Sequence, residues 1–254
     1  MIKIGDYVTR KSYNHDIVFK VIDIQMGNCI LYGVCVRLSA DSPVSDLKLY
    51  DGEVDDDFVV EFDDYKTLDR NEFFYLPGKV LHIDGDKDFL KRSMDFYKKN
   101  KIKAYGLYSM ESDLADNIYG YLEKYNPDIL VITGHDALFR KRRSSGSYKN
   151  TENFVDAVRE ARRYEKSHEK LIIIAGACQS NYEELIKAGA NFASSPKRIN
   201  IHALDPAIIA SSMSFSDKNT NIDLINILGK TKYGPEGMGG IITKGTMYVG
   251  YPRE

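Results

Sequence analysis

A histidine and a cysteine, each standing at the end of an apolar run, are the residues of this sequence best suited to covalent chemistry. Residues 129–137 read ILVITGHDA and residues 171–180 read LIIIAGACQS, so His135 and Cys178 each follow a segment with the character of a buried strand. A thiol is a useful nucleophile when its thiolate is accessible and stabilised, and a neighbouring imidazole can take its proton. Gly176 and Ala177 allow close backbone approach beside the thiol, and Gly134 loosens the turn before the imidazole. Backbone N–H groups at Cys178 and Gly134 are the candidates to hold an oxyanion. The segment after Cys178 is expected to open a short helix, whose N-terminal N–H groups would favour a thiolate.

Two strand ends separated in sequence meet only if a fold brings them to one edge. From Lys79 onward strand-like and helix-like periods alternate: KVLHID, KDFLKRSMDFYKKN, IKAYGLY, SDLADNIYGYLEKY with Ser112 as its cap, DILVITG, TENFVDAVREARRYEKS, KLIIIAGA, NYEELIKAG and NFASS. That order implies α/β architecture, a parallel sheet covered by helices, in which strand carboxyl ends share one edge and ligands bind beyond it. The tail is expected to add two helices, DPAIIASSM and NIDLINILGKT, and a closing β-hairpin over residues 233–252. Residues 1–50 differ. Short β-rich runs separated by Asn-His-Asp and Gly-Asn predict a small SH3-like β-barrel. Residues 51–76 read as an acidic linker, which leaves 77–254 as the α/β domain.

Composition narrows the function. The chain has 35 basic and 37 acidic residues, a formal charge of −2 and 43% hydrophobic content, so it has a core and no polyanion-binding field; nucleic acid is not an expected partner. No secretory leader and no apolar run of membrane-spanning length stand out, which predicts a soluble, cytoplasmic protein. The three cysteines, Cys29, Cys35 and Cys178, suit neither a disulfide framework nor a four-ligand zinc site. Cys29 and Cys35 are expected as inert thiols in barrel strands, and no metal or cofactor is implied.

An apolar strand ending in His followed by one ending in Ala-Cys resembles the caspase–clostripain–legumain clan of cysteine peptidases, with Asp136 standing where that clan usually has glycine. A closer resemblance covers nearly the whole chain. The blocks RKSYNHDIVFKV, PGKVLHIDGD, PDILVITGHDA, IIAGACQSNYEELIKAGANFASSPKRINIHALDP and GMGGI, in that order, are similar to the YabG family of sporulation-specific proteases. The resemblance implies a caspase-like, parallel-dominated sheet behind the barrel, and a cysteine endopeptidase with Cys178 as nucleophile and His135 as its partner. It further implies cleavage after arginine, with spore coat and germination proteins as substrates, in the sporulating cell's cytoplasm and in association with the coat.

An arginine side chain needs a carboxylate partner in its pocket. Acids at strand ends on the same edge are Asp84 and Asp86, Asp136, and Asp205. Each has a plainer use: Asp84 and Asp86 in a turn around Gly85, Asp205 as the start of a helix with Pro206 at its first turn, Asp136 as a holder of His135. His82 reads as core. The basic loop FRKRRSSGS offers an arginine-directed enzyme a self-cleavage site at Arg140, Arg142 or Arg143. Two other classes compete: a metal-dependent, phosphatase-like hydrolase built on HIDGD, and a non-catalytic flavodoxin- or receiver-like binding domain.

Overall fold

A computed structural model describes residues 2–52, 54, 60, 62, 73–139 and 147–251. The chain divides into two compact units, Met1–Val59 and Val60–Glu254. Most of the acidic stretch, and Arg140, Arg142 and Arg143, lie outside the described residues.

The first unit is an antiparallel meander of β1 (Tyr7–Arg10), β2 (Phe19–Gln25), β3 (Asn28–Gly33), β4 (Ser39–Pro43) and β5 (Leu47–Leu49), in the order β4-β3-β2-β1-β5. Its turns are set by residues that tolerate left-handed backbone. Asn14 and His15 have φ of 52° and 60° between β1 and β2, and Met26 and Gly27 have φ of 48° and 81° in the tight β2–β3 connection. Alternation places Val8, Phe19, Val21, Cys29, Leu31 and Leu47 in one small core. Cys35 departs from expectation: β3 stops at Gly33, where a Cβ would lie 2.4 Å from the Val36 carbonyl, so Cys35 falls in the bend beyond the strand.

The second unit runs β6 (Phe74–Leu76), β7 (Val80–Asp84), α1 (Lys87–Lys99), β8 (Ala104–Tyr108), α2 (Leu114–Tyr125), β9 (Ile129–Thr133), β10 (Leu138–Phe139), β11 (Ser147–Tyr148), α3 (Thr151–Tyr164) and β12 (Ile172–Ala175). It continues with α4 (Tyr182–Ala188), β13 (Phe192–Ser194), α5 (Asp205–Phe215), α6 (Leu224–Gly229), β14 (Met238–Gly240) and β15 (Tyr248–Gly250). The main sheet has the order β14-β13-β12-β9-β7-β8 and is parallel except for β14. It is the parallel-dominated, helix-flanked α/β arrangement that the alternating periods call for, consistent with a caspase-like fold.

Both faces of the central strands are covered, and for that reason these strands read as continuous apolar runs. Leu81, Ile83, Leu130, Ile132 and Ile173 pack with Leu114, Ile118 and Leu122 of α2, Phe154, Val158 and Ala161 of α3, and Leu185 of α4. The opposite face meets α1 and α5. Every residue of α5 is buried, and its serines find carbonyl acceptors: Ser211 and Ser212 donate within the helix to Ala207 and Ile208 at 2.7 and 3.0 Å, and Ser214 donates to Gly78 at 2.7 Å.

Two local expectations are corrected. Ser112 does not cap α2; a 3-10 turn at Glu111–Asp113 precedes the helix, and the Ser112 hydroxyl donates to Asp113 instead. The closing hairpin does not form either. β14 adds antiparallel to β13, whereas β15 pairs with β6. Glycine makes the first pairing feasible, because a Cβ on Gly240 would sit 2.4 Å from the Phe192 ring.

Candidate active site

The register of β9 and β12 sets the site. Ile129 pairs with Ile172 and Ile132 with Ala175. His135 stands six residues beyond Ile129 and Cys178 six beyond Ile172, so the two leave adjacent parallel strands at the same level. The Gly176 N–H, bonded to the Ile132 carbonyl at 3.0 Å, carries the pairing one step past the last ladder residues.

Two carboxylates hold His135. Its backbone N–H donates to Glu111 Oε1 at 2.8 Å, and its Nε2 lies 2.8 Å from Asp86 Oδ2. Glu111 reaches this position because Gly85 and Gly134 leave room: a Cβ on either would come within 2.4 or 2.5 Å of its carboxylate. Asp86 is fixed from the other side as the N-cap of α1, its Oδ1 accepting the N–H groups of Asp88 and Phe89 at 2.9 and 3.0 Å. The Phe89 ring packs 6.2 Å from the imidazole, centre to centre.

Cys178 sits in a tight turn, between Gly176 at φ 108° and Gln179 at φ 59°. A Cβ on Gly176 would approach Leu185 to 2.8 Å, so this position demands glycine twice over. The expected helix does not start at the thiol: α4 opens at Tyr182 with Asn181 as cap, and the Asn181 side chain takes the Glu184 N–H. Nor is the sulfur exposed. Cys178 is 0% accessible, with Sγ accepting the Ile201 N–H at 3.3 Å and facing the Ile201 carbonyl at 3.7 Å. The segment carrying Ile201 is stitched down by Ser195, whose Oγ accepts the Gln179 N–H at 2.9 Å and donates to the Ile199 carbonyl at 2.6 Å. A covering loop from the far side of β13 is what hides the thiol.

Asp136 joins the two halves. Its Oδ1 accepts the N–H groups of Ala137 and Asn150, both at 2.8 Å; its Oδ2 accepts the hydroxyls of Thr151 and, at 2.9 Å, Ser180. The Ser180 Oγ in turn accepts the Ala177 N–H at 2.9 Å. One chain of hydrogen bonds thus runs from the neighbour of His135 to the neighbour of Cys178. Ser180→Ala would leave the buried Ala177 N–H without this acceptor and Asp136 without one donor, and is expected to cost about 1–3 kcal/mol in chemical denaturation. An unchanged midpoint and slope would show that the link is not holding the turn.

The other acids are engaged as well. Asp84 is fully buried at the end of β7; its Oδ1 accepts the Asp86 N–H at 2.9 Å, and its Oδ2 lies 3.4 Å from Thr133 Oγ1 and 3.5 Å from His82 Nε2. His82 is core, bonded through Nδ1 to the Tyr97 hydroxyl at 2.9 Å. Asp205 opens α5 and accepts the backbone N–H groups of His202 and Lys232, each at 2.9 Å. Burial pushes its carboxyl pKa up, against the lowering effect of those N–H donors. Among the described residues, no group of three or more His, Cys, Asp or Glu side chains is arranged to hold a metal ion, and no helix is long and apolar enough to cross a membrane.

Several participants carry no sequence signal of their role. Asp86 just ahead of α1 is legible as a cap, but its bond to His135 spans distant segments. Glu111, Ser180 and Ile201 belong to motifs with ordinary structural readings.

Fold and site together describe an α/β protein with imidazole and thiol at the carboxyl edge of two neighbouring parallel strands, an arrangement suited to cysteine hydrolases. The model of the YabG peptidase U57 family matches residues 3–57 and 55–252. The sporulation-specific protease YabG of Bacillus subtilis (strain 168) is 40% identical over 285 aligned positions, covering 98% of each chain. No solved structure matches. The chain belongs to the YabG peptidase family, which makes it a sporulation protease and sets aside the binding-domain and phosphatase readings.

Proposed function

We propose that this protein is a cysteine endopeptidase in which Cys178 is the nucleophile and His135 the general acid–base, cleaving after arginine in spore coat and germination proteins. It acts in the cytoplasm of the sporulating cell and at the coat. The observation that carries the catalytic assignment is the register that sends His135 and Cys178 out of adjacent strands at one level. His135 takes the thiol proton as Sγ attacks the carbonyl carbon of the arginine residue; the collapsing intermediate expels the amine of the next residue, which receives that proton; water, deprotonated by His135, then releases the acid and the free thiol. The Cys178 N–H is the proposed oxyanion donor. Gly134, the other candidate, lies against the Glu111 carboxylate, an unfavourable neighbour for a second negative charge.

The enclosed sulfur makes the described form a closed one. Substrate must displace the peptide of Ile201 before it meets Sγ. The same movement would draw His202 away from Asp205, which makes Asp205, among Asp84, Asp86, Asp136 and Asp205, the acid we assign to the arginine pocket. Asp205→Asn is expected to lower the preference for arginine over alanine at the cleaved position by about tenfold or more. An unchanged preference removes the pocket assignment.

A cleavage screen on a peptide library, with and without iodoacetamide or EDTA, tests the function as a whole. Activity lost to the alkylator added during turnover, and kept in the chelator, supports the thiol mechanism; the reverse pattern rejects it. The segment 139–147 is a proposed self-cleavage site at Arg140, Arg142 or Arg143, read in the same samples by mass spectrometry.

A further inference from the structure

We infer that Asp86 is the positioning residue of the His135 imidazole, so that the site operates as a Cys178–His135–Asp86 triad. This rests on the peptidase reading above and gives Asp86 a task other than binding the substrate's arginine. Asp86 sits at the first turn after β7, where three backbone features hold it. The Gly85 N–H bonds the Thr133 carbonyl at 3.0 Å, the Asp86 N–H bonds Asp84 Oδ1 at 2.9 Å, and Asp86 Oδ1 caps α1. The other oxygen, Oδ2, is thereby aimed at His135 Nε2, 2.8 Å away. The side chains are 11% and 24% exposed, so water screens the contact weakly.

A carboxylate can only accept, so the contact assigns the proton to Nε2 and leaves Nδ1 as the basic nitrogen that exchanges with the thiol. When Nδ1 takes the thiol proton, Asp86 faces a full imidazolium and stabilises it. The other acids near the ring are placed differently. Glu111 bonds the His135 backbone N–H, Asp136 is turned toward Thr151 and Ser180, and Asp84 lies behind Asp86 against Thr133 and His82. The geometry resembles that of a buried acid orienting a catalytic histidine elsewhere, in which the acid selects the tautomer without being protonated itself.

The test is Asp86→Asn. Asparagine is as good a helix cap as aspartate, so α1 keeps its N-terminal acceptor. Its amide nitrogen, however, presents a donor to Nε2 and favours the Nδ1–H tautomer. On an arginine-containing peptide, kcat should fall by on the order of 10²-fold, with KM within about twofold and arginine preference unchanged. A second readout needs no turnover. In a Cys178→Ala background, ¹⁵N shifts of His135 should report the Nε2–H tautomer when Asp86 is present and its loss when Asp86→Asn is added. Should Asp86→Asn fold poorly, Asp86→Ser keeps the cap and removes the charge. An unchanged kcat, an effect confined to KM and arginine preference, or an unchanged His135 tautomer each overturns the inference. Retention of activity by Cys178→Ala would instead overturn the peptidase mechanism, while the tautomer still decides the Asp86–His135 pair.

Discussion

Cys178→Ala will abolish peptide cleavage, lowering kcat/KM by roughly 10⁴-fold or more, while leaving the fold in place. No other group can form the acyl intermediate once Sγ is gone, since the reaction is divided into two steps by that covalent bond. The substitution removes one buried atom whose partners are the Ile201 peptide groups, so the sheet that presents the turn stays intact. Folding is checked by thermal melting, and activity by discontinuous peptide cleavage. The segment 139–147 should remain uncut in the same protein. Appreciable turnover by Cys178→Ala would reject Cys178 as nucleophile. Wild-type Cys178 should also react slowly with iodoacetamide at rest and faster during turnover, as the closed position of Ile201 requires.

Arg162→Leu should be the most damaging single change to stability among those away from the site. Near the carboxyl end of α3, the guanidinium donates to the carbonyls of Gly189, Glu165, Ser167 and Leu171 at 2.8, 3.2, 3.2 and 2.9 Å, and to Asn191 Oδ1 at 2.5 Å. These acceptors belong to the connections entering β12 and β13. Asn191 Oδ1 also accepts the Ile173 N–H at 2.9 Å, which ties the cluster directly to the strand that ends in Cys178. Burial pushes the guanidinium pKa down to about 10, opposed by Glu165, so the group remains charged at neutral pH. Leucine would keep much of the volume and strand several partly buried acceptors, at an expected cost of about 3–4 kcal/mol, or a melting temperature lower by about 10 °C. Because the lost bonds set how β12 enters the sheet, activity should fall alongside stability. A drop below about 1 kcal/mol would mean that water replaces the guanidinium at these carbonyls.

The division between what is legible in one dimension and what is not follows the range of the interactions involved. Apolar periods of two and of about 3.6 residues act locally, so the strand ILVIT, the helices KDFLKRSMDFYKK and TENFVDAVREARRY, and their alternation can be read directly, together with the strand-end places of His135 and Cys178. Turn residues with left-handed backbone, Asn14 and Gly27 among them, are local too. Asp86 at a helix start is legible for the same reason, since a cap bonds within its own first turn, whereas Asp205 stands in the first turn of α5 without capping it and bonds His202 and Lys232 instead.

Everything that depends on which distant segment arrives beside a residue was decided by the tertiary structure. The sequence places Cys178 at the end of a strand, but only the loop beyond β13, held by Ser195, buries its sulfur against Ile201. Asp86, Glu111 and His135 come from three connections whose strands must first align in one sheet. The two closing strands separate because β13 and β6 offer them unpaired edges, a property of neighbours and not of the strands themselves. Periodicity tells each segment what surface to present, whereas the partner that covers it is chosen by packing of the whole chain.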